Sequence, residues 1–311
     1  MYHNSHTNVP RFGRLYMILL VNGTGGGYSG PLPGSGNSPG GGCPIYIECI
    51  DDNMDGGGGN GNQNNPDPIG VECEVASVSV TNANNTLHDI TVKTKMDDVL
   101  KSKINASNEF AVSIGKNSDG TFSISNPKEG GITSGSVPAV TSGNYYGDGH
   151  SHAGGKADPS AGDFYEMLGT MFSNPYFEIK YVYGNDFGTL EVYALIVHDS
   201  GLVAAFLANY PKSSNYDPAT HTFQRGSPVG TEFFNIKELA TAGTYINSGD
   251  QYGSSAIGLA YILEKFNTGI SLAKLDANGN LKKINISQEP IVVPGGNGIP
   301  KNGLNISKLY W

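Results

Sequence analysis

Gly149-His150-Ser151-His152-Ala153-Gly154-Gly155-Lys156-Ala157-Asp158-Pro159-Ser160-Ala161-Gly162-Asp163 is the stretch from which the fold can be read. Its pattern is H-x-H, seven residues, then S-x-x-D. On a strand, the two histidines of H-x-H point to one face, about 6.6 Å apart along the chain, so two imidazoles can converge on one ion. Ala153–Pro159, with Gly154 and Gly155, lets the chain reverse. Phe164, Met167, Leu168 and Met171 then recur at i, i+3, i+4 and i+7, so Ser160 opens an amphipathic helix whose first turn holds Asp163. Strand, reversal and helix predict an α/β fold with a polar site where strand gives way to helix.

Working outward, Glu109-Phe110-Ala111-Val112-Ser113-Ile114-Gly115 alternates apolar and small or polar residues and reads as a strand, with Glu109 on the face opposite Phe110. Asn117-Ser118-Asp119-Gly120 is a turn signal, and Thr121-Phe122-Ser123-Ile124 returns as a hairpin strand. Met96, Val99, Leu100 and Ile104 suit a short helix over Met96–Ile104, with acids early and lysines late. Val75, Val78 and Val80 among serines and threonines suggest a strand. Downstream, strands are expected over Phe177–Tyr183, Leu190–Val197 and Leu202–Ala208. A short helix follows around Glu232–Ala240, a clear one over Ser255–Phe266, and a last hairpin over Leu272–Leu275 and Leu281–Ile286. Together these predict a mixed sheet with helices packed on it.

The expected organisation of the 311 residues is a short basic–apolar leader (1–21), a low-complexity linker (22–70), one folded domain (71–293) and an irregular tail (294–311). The linker carries Gly-Gly-Gly-Gly and Asn-Gln-Asn-Asn-Pro-Asp-Pro runs, too poor in apolar area to offset the entropy of ordering. The apolar part of the leader is short and lacks a small-residue cleavage signature, and no run approaches the ~20 apolar residues of a membrane span. A net charge of -9, with Arg11, Arg14 and Arg225 the whole arginine complement, leaves no basic stripe for nucleic acid. Of the three cysteines, Cys43 and Cys49 could close a loop in an oxidising compartment, and free thiols with Cys73 are the equal alternative. A leader ahead of a C-terminal catalytic domain is a layout common in secreted and cell-surface bacterial proteins, and cytoplasmic placement stays open.

The opening pattern has a specific chemistry. His150, His152 and Asp163 supply two nitrogens and an oxygen, a set suited to zinc with an open fourth position. Water in that position would have its pKa lowered toward ~7, and a general base would carry its proton to the leaving amine. Ser160, at the helix N-terminus, could donate a hydrogen bond to the developing oxyanion. Ser160-x-x-Asp163 is equally an ordinary capping box, and the pair argues for function only in company with the histidines.

His150, His152, Ser160 and Asp163 resemble the JAMM (MPN-plus) motif of zinc-dependent isopeptidases and related peptidases. The hairpin from Glu109 to Ile124 is similar to the strand that carries a glutamate in JAMM-like domains of bacterial secreted and polymorphic-toxin proteins. The resemblance covers roughly Met96 to Phe172. It implies that His150, His152 and Asp163 hold Zn2+, that Ser160 is the oxyanion donor, that Glu109 is the general acid/base, and that the fold is a deaminase-like α/β sandwich. Ala153-Gly154-Gly155 stands where the family often has a proline, and Glu72, Glu74 and Glu129 are further upstream glutamates. The expected activity is hydrolysis of an amide or isopeptide bond in a protein or peptide substrate. The alternatives are a catalytically silent JAMM-like binding module and an extracellular structural or adhesive protein.

Overall fold

The computed structural model describes residues 68–186, 188–242, 253–293 and 301–310. The leader, nearly all of the linker and the Cys43–Cys49 loop lie outside these. Twenty elements follow in order. Helix α1 (Pro68–His88) leads into a composite helix of α2 (Ile90–Val92), a π-helical turn (Lys93–Asp97) and α3 (Asp98–Lys101). Strands β1 (Phe110–Lys116), β2 (Phe122–Ile124), β3 (Lys128–Glu129) and β4 (Asn144–Ser151) precede helix α4 (Ala161–Ser173). Next come β5 (Ile179–Asp186), β6 (Thr189–Val197), α5 (Ser200–Asn209), α6 (Lys212–Asn215), β7 (Tyr216–Asp217) and β8 (Thr222–Phe223). The chain closes with α7 (Pro228–Ala242), α8 (Ser254–Lys265), β9 (Ile270–Leu275), β10 (Leu281–Val293) and β11 (Lys301–Tyr310).

The protein is α/β, with a mixed nine-stranded sheet in the order β11-β10-β9-β6-β5-β4-β1-β2, and β3 attached to β1. Strands β4 and β5 run parallel, and the other neighbours in this sheet are antiparallel. A parallel neighbour requires a crossover, and α4 supplies it. Both faces of the sheet are covered. Val80, Ala83, Leu87, Met96 and Leu100 from the N-terminal helices pack on Val112, Ile114, Tyr181 and Ala194. Phe164, Leu168, Val203, Phe206, Phe233 and Leu259 from α4, α5, α7 and α8 pack on Tyr193, Leu195 and Leu272.

Three segments differ from the sequence expectations. The valine-rich stretch expected to be a strand lies in α1, where Ala76, Val80, Ala83 and Leu87 are buried at helical spacing and Val75 and Val78 are exposed. The buried stripe of two alanines, Val80 and Leu87 is weaker in the sequence than the run of valines that overlaps it. Leu202–Ala208, also expected as a strand, is helix α5. Asp199 caps it by accepting from the Gly201 and Leu202 amides at 2.7 and 2.9 Å, a start signal that outweighs a short apolar run. The tail from Pro294, expected to be irregular, contains β11, which pairs with β10 from Ile284↔Tyr310 to Val293↔Lys301. The helix expected over Met96–Ile104 starts earlier and ends at Lys101, with Met96 and Leu100 buried as the spacing implied.

Candidate metal centre

The site lies at the carboxyl end of β4, where the crossover to β5 begins. That is the end of a parallel strand where open α/β sheets commonly place ligands. Side chains alternate along β4. An added Cβ at Gly149 would meet Met96 Sδ at 2.9 Å and Leu100 Cδ1 at 3.0 Å, so the next residue, His150, faces the α4 side of the sheet. His152 follows one residue past the strand end, held by its amide donating to the Tyr183 carbonyl at 2.8 Å.

The glycine-containing reversal after His152 is pinned to β5. The Asn185 amide donates to the Gly155 carbonyl at 2.8 Å, and Lys156 pairs with Asp186 at 2.9 Å. A Cβ on Gly184 would stand 2.3 Å from the Ala157 nitrogen, so only glycine lets β5 approach this segment so closely. Gly154 has φ +60, the left-handed conformation glycine adopts freely. The chain then enters α4 through a full capping box: Ser160 Oγ accepts from the Asp163 amide at 3.0 Å, and Asp163 Oδ2 accepts from the Ser160 amide at 2.7 Å.

These constraints converge three side chains. His150 Nε2 is 3.1 Å from Asp163 Oδ1, and His152 Nε2 is 3.4 Å from Asp163 Oδ2. One ligand atom from each residue falls within 4.8 Å of the others, and the cluster could hold a metal ion. The two contacts to Asp163 are close to the ~3.4 Å that separates ligand atoms around a tetrahedral ion with bonds of ~2.0–2.1 Å. His152 Nδ1 lies 2.6 Å from the Lys156 carbonyl oxygen. A carbonyl only accepts, so the hydrogen belongs on Nδ1 and the Nε2 lone pair of the neutral ring faces the cluster.

Among the side chains alone, the electrostatics favour a proton on the second ring nitrogen of His152 as well. Burial pushes the Asp163 carboxyl up, but His150 and His152 outweigh it and hold the group well below the usual carboxylate range. For His152, burial favours the neutral ring, and the hydrogen bond and charge of Asp163 reverse this, raising the ring to about 9 among these side chains alone.

Glu109 comes to the same place through sheet register. Strand β1 is antiparallel to β4, with Phe110 opposite Ser151 and Ala111 opposite His150, so the residue before β1 lies beside the end of β4. The Glu109 backbone is held on both sides, its amide donating to Gly131 at 2.9 Å and its carbonyl accepting from Gly130 at 2.8 Å. A Cβ on Gly135 would lie 3.5 Å from Glu109 Oε2 and 3.8 Å from His150 Cβ, so this glycine of the β3–β4 connection lies over both residues. Glu109 is 7 % exposed. Burial raises its carboxyl pKa, and the charges of His150 and His152 only partly offset that. The other upstream glutamates are placed differently. Glu129 is exposed and accepts from Asn108 at 2.8 Å, while Glu72 and Glu74 belong to the α1 sequence.

Ser160 differs from the simple expectation of a free oxyanion donor. Its hydroxyl donates to Asp163 Oδ2 at 2.8 Å while its lone pair caps the helix, so both capacities serve Asp163. Two neighbours, Lys180 and Asp148, were missed from the sequence. Lys180 and Asp148, 3 % and 2 % exposed, form an ion pair at 3.0 Å on the site side of β4 and β5, and Tyr145 donates to Asp148 at 2.6 Å. The available signal was a lysine within the otherwise apolar run Ile179–Tyr183. Glu166, one turn after Asp163, is exposed at the rim.

Fold and cluster together define an α/β protein with a buried His-His-Asp site at a strand-to-helix crossover. Comparison with protein families, with curated proteins and with solved structures returned no match. Among the described residues, no helix is long and apolar enough to cross a membrane.

Proposed function

We propose that this chain is a zinc-dependent hydrolase of amide or isopeptide bonds in a protein or peptide, a metallopeptidase of JAMM type. The observation that carries the reading is the placement of a buried acid, Glu109, beside a compact His150–His152–Asp163 cluster, from an antiparallel strand remote in sequence. A capping box alone would need neither the histidines nor this glutamate. Zinc held by the three residues would supply Lewis acidity and a water acidified toward neutral pH.

The chain's own residues would do the rest. Glu109, its pKa raised by burial, is suited to take a proton from water and return it to the departing amine. Ser160 and the Lys156 carbonyl orient two of the three ligands, Asp163 and His152. The test is metal analysis with hydrolysis of a peptide library. Wild type should carry about one zinc per chain. Glu109→Gln should keep that zinc and lose ~10²–10⁴-fold in kcat. Wild-type protein that takes up no zinc at neutral pH would falsify the reading.

A further inference from the structure

The hydrolase reading leaves one role open. An amide carbonyl under attack develops a negative oxygen, and one preorganised donor to it contributes ~10²–10³ in rate. Ser160 is poorly placed for that role because its proton goes to Asp163 and its lone pair to the helix start.

A second hydroxyl borders the same first turn of α4. The small β7–β8 hairpin packs Phe223 into the core at 1 % exposure, and Asp217 braces its turn by accepting from the Ala219 amide at 2.9 Å and the Thr220 hydroxyl at 2.9 Å. This hairpin presents Tyr216 to the first turn of α4. A Cβ on Gly162 would be 3.2 Å from Ser160 Oγ and 3.5 Å from Tyr216 Oη, so the two hydroxyls flank one glycine. Gly162 occupies a helical position where alanine would be favoured by about 1 kcal/mol, and a Cβ there would be tightest against Ser160 Oγ, with Tyr216 Oη at ordinary contact distance. Tyr216 Oη is 3.0 Å from His221 Nδ1. His221 takes a left-handed backbone, φ 55, unusual for a residue with a side chain and costing about 1–2 kcal/mol.

We propose that Tyr216 is the oxyanion donor of the candidate hydrolase and that His221 is its positioning residue; this rests on the hydrolase reading. With hydrogen on His221 Nδ1 donating to Tyr216 Oη, the phenolic O–H is free to turn to the substrate. The step balances. Water oxygen bonds to the carbonyl carbon, one water proton passes to Glu109, and the carbonyl π pair moves to oxygen, which accepts from Tyr216. The pair then returns, the C–N bond breaks, and the proton on Glu109 goes to the amine.

The test compares Tyr216→Phe, His221→Ala and His221→Asn with wild type in the full chain. Tyr216→Phe should keep zinc content and thermal midpoint, and lower kcat about 10- to 100-fold with little change in KM. His221→Asn, which retains an N–H donor, should keep more of kcat than His221→Ala. Binding of acetohydroxamate to the zinc-loaded protein, measured by calorimetry, gives a readout independent of turnover and should weaken at least fivefold in Tyr216→Phe. Equal acetohydroxamate affinity in Tyr216→Phe and wild type overturns the assignment, as does equal kcat. Wild type that takes up no zinc overturns the underlying hydrolase reading instead, so the two failures are told apart.

Discussion

Asp97 and Asp163 are both almost fully buried, at 2 % and 8 % exposure, and they stand on opposite faces of the same sheet. Asp97, at the end of the π-helical turn, accepts from Lys93 at 2.6 Å, Lys101 at 2.7 Å and the Tyr183 hydroxyl at 3.0 Å. Asp163 faces His150 and His152 and accepts from Ser160. The partner chemistry separates them. Ammonium groups have no lone pair to offer a cation, and two of them already neutralise Asp97 while the Tyr183 phenol spends its proton on it, so the Asp97 cluster is complete as it stands. Imidazoles carry lone pairs once neutral, so the Asp163 cluster can exchange protons for a metal ion. Burial of an acid is common to both and so does not identify a site; what surrounds the acid does.

The sharpest break of this comparison is ligand removal. His150→Ala or Asp163→Ala should abolish zinc uptake, read as metal per chain, because two remaining ligands rarely hold the ion against water. Asp97→Ala should leave zinc uptake unchanged. If both aspartates mattered equally for zinc, the distinction between saturated and ligand-capable clusters would fail.

Next in size is pH. Zinc needs neutral imidazole, and His152 holds its proton up to about 9 among the side chains alone. A metal must therefore displace a proton at physiological pH. Affinity should fall about tenfold for each unit below that value, measured by chelator competition between pH 8 and pH 6. Without metal the sign reverses. The raised folded-state value stabilises the fold fully below the unfolded histidine value near 6.5, and that stability is lost as pH rises through about 9. A zinc affinity flat across this range would mean that His152 is not a ligand.

Asp97→Ala should cost about 2 kcal/mol in denaturant unfolding. It strands the buried Tyr183 hydroxyl, while Lys93 and Lys101 are exposed enough to return to water.

How much of this was legible follows from which signals are local. The β1–β2 hairpin, the strand carrying His150 and the helix opened by Ser160 were readable because alternation, turn residues and caps act over a few positions. The clustering of His150, His152 and Asp163 followed from spacing alone. The Lys180–Asp148 pair was not readable, because it depends on β4 and β5 being parallel and on both faces being covered. Tyr216 was hidden for the same reason, meeting α4 only after the β7–β8 hairpin docks. The error at α1 has a different cause. Valine favours strands intrinsically, but Ala76, Ala83 and Leu87 packing on the sheet decide the outcome.

The smallest expected change in stability also separates capping from ligand positioning. Ser160 is at once the N-cap of α4 and a donor to Asp163. Ser160→Ala removes both, and the cap alone is worth about 1 kcal/mol of stability. Ser160→Asp restores an acceptor for the Asp163 amide and places a like charge beside that carboxylate. If Ser160 serves only the helix, Ser160→Asp should recover the stability that Ser160→Ala loses. If its main service is to hold Asp163 for the ion, Ser160→Asp should remain weak in zinc, by roughly 10- to 100-fold, whatever its stability. On the proposed metal reading the second outcome is expected, because Asp163 Oδ2 already accepts both the amide and the hydroxyl of Ser160 and a new carboxylate there could only repel it.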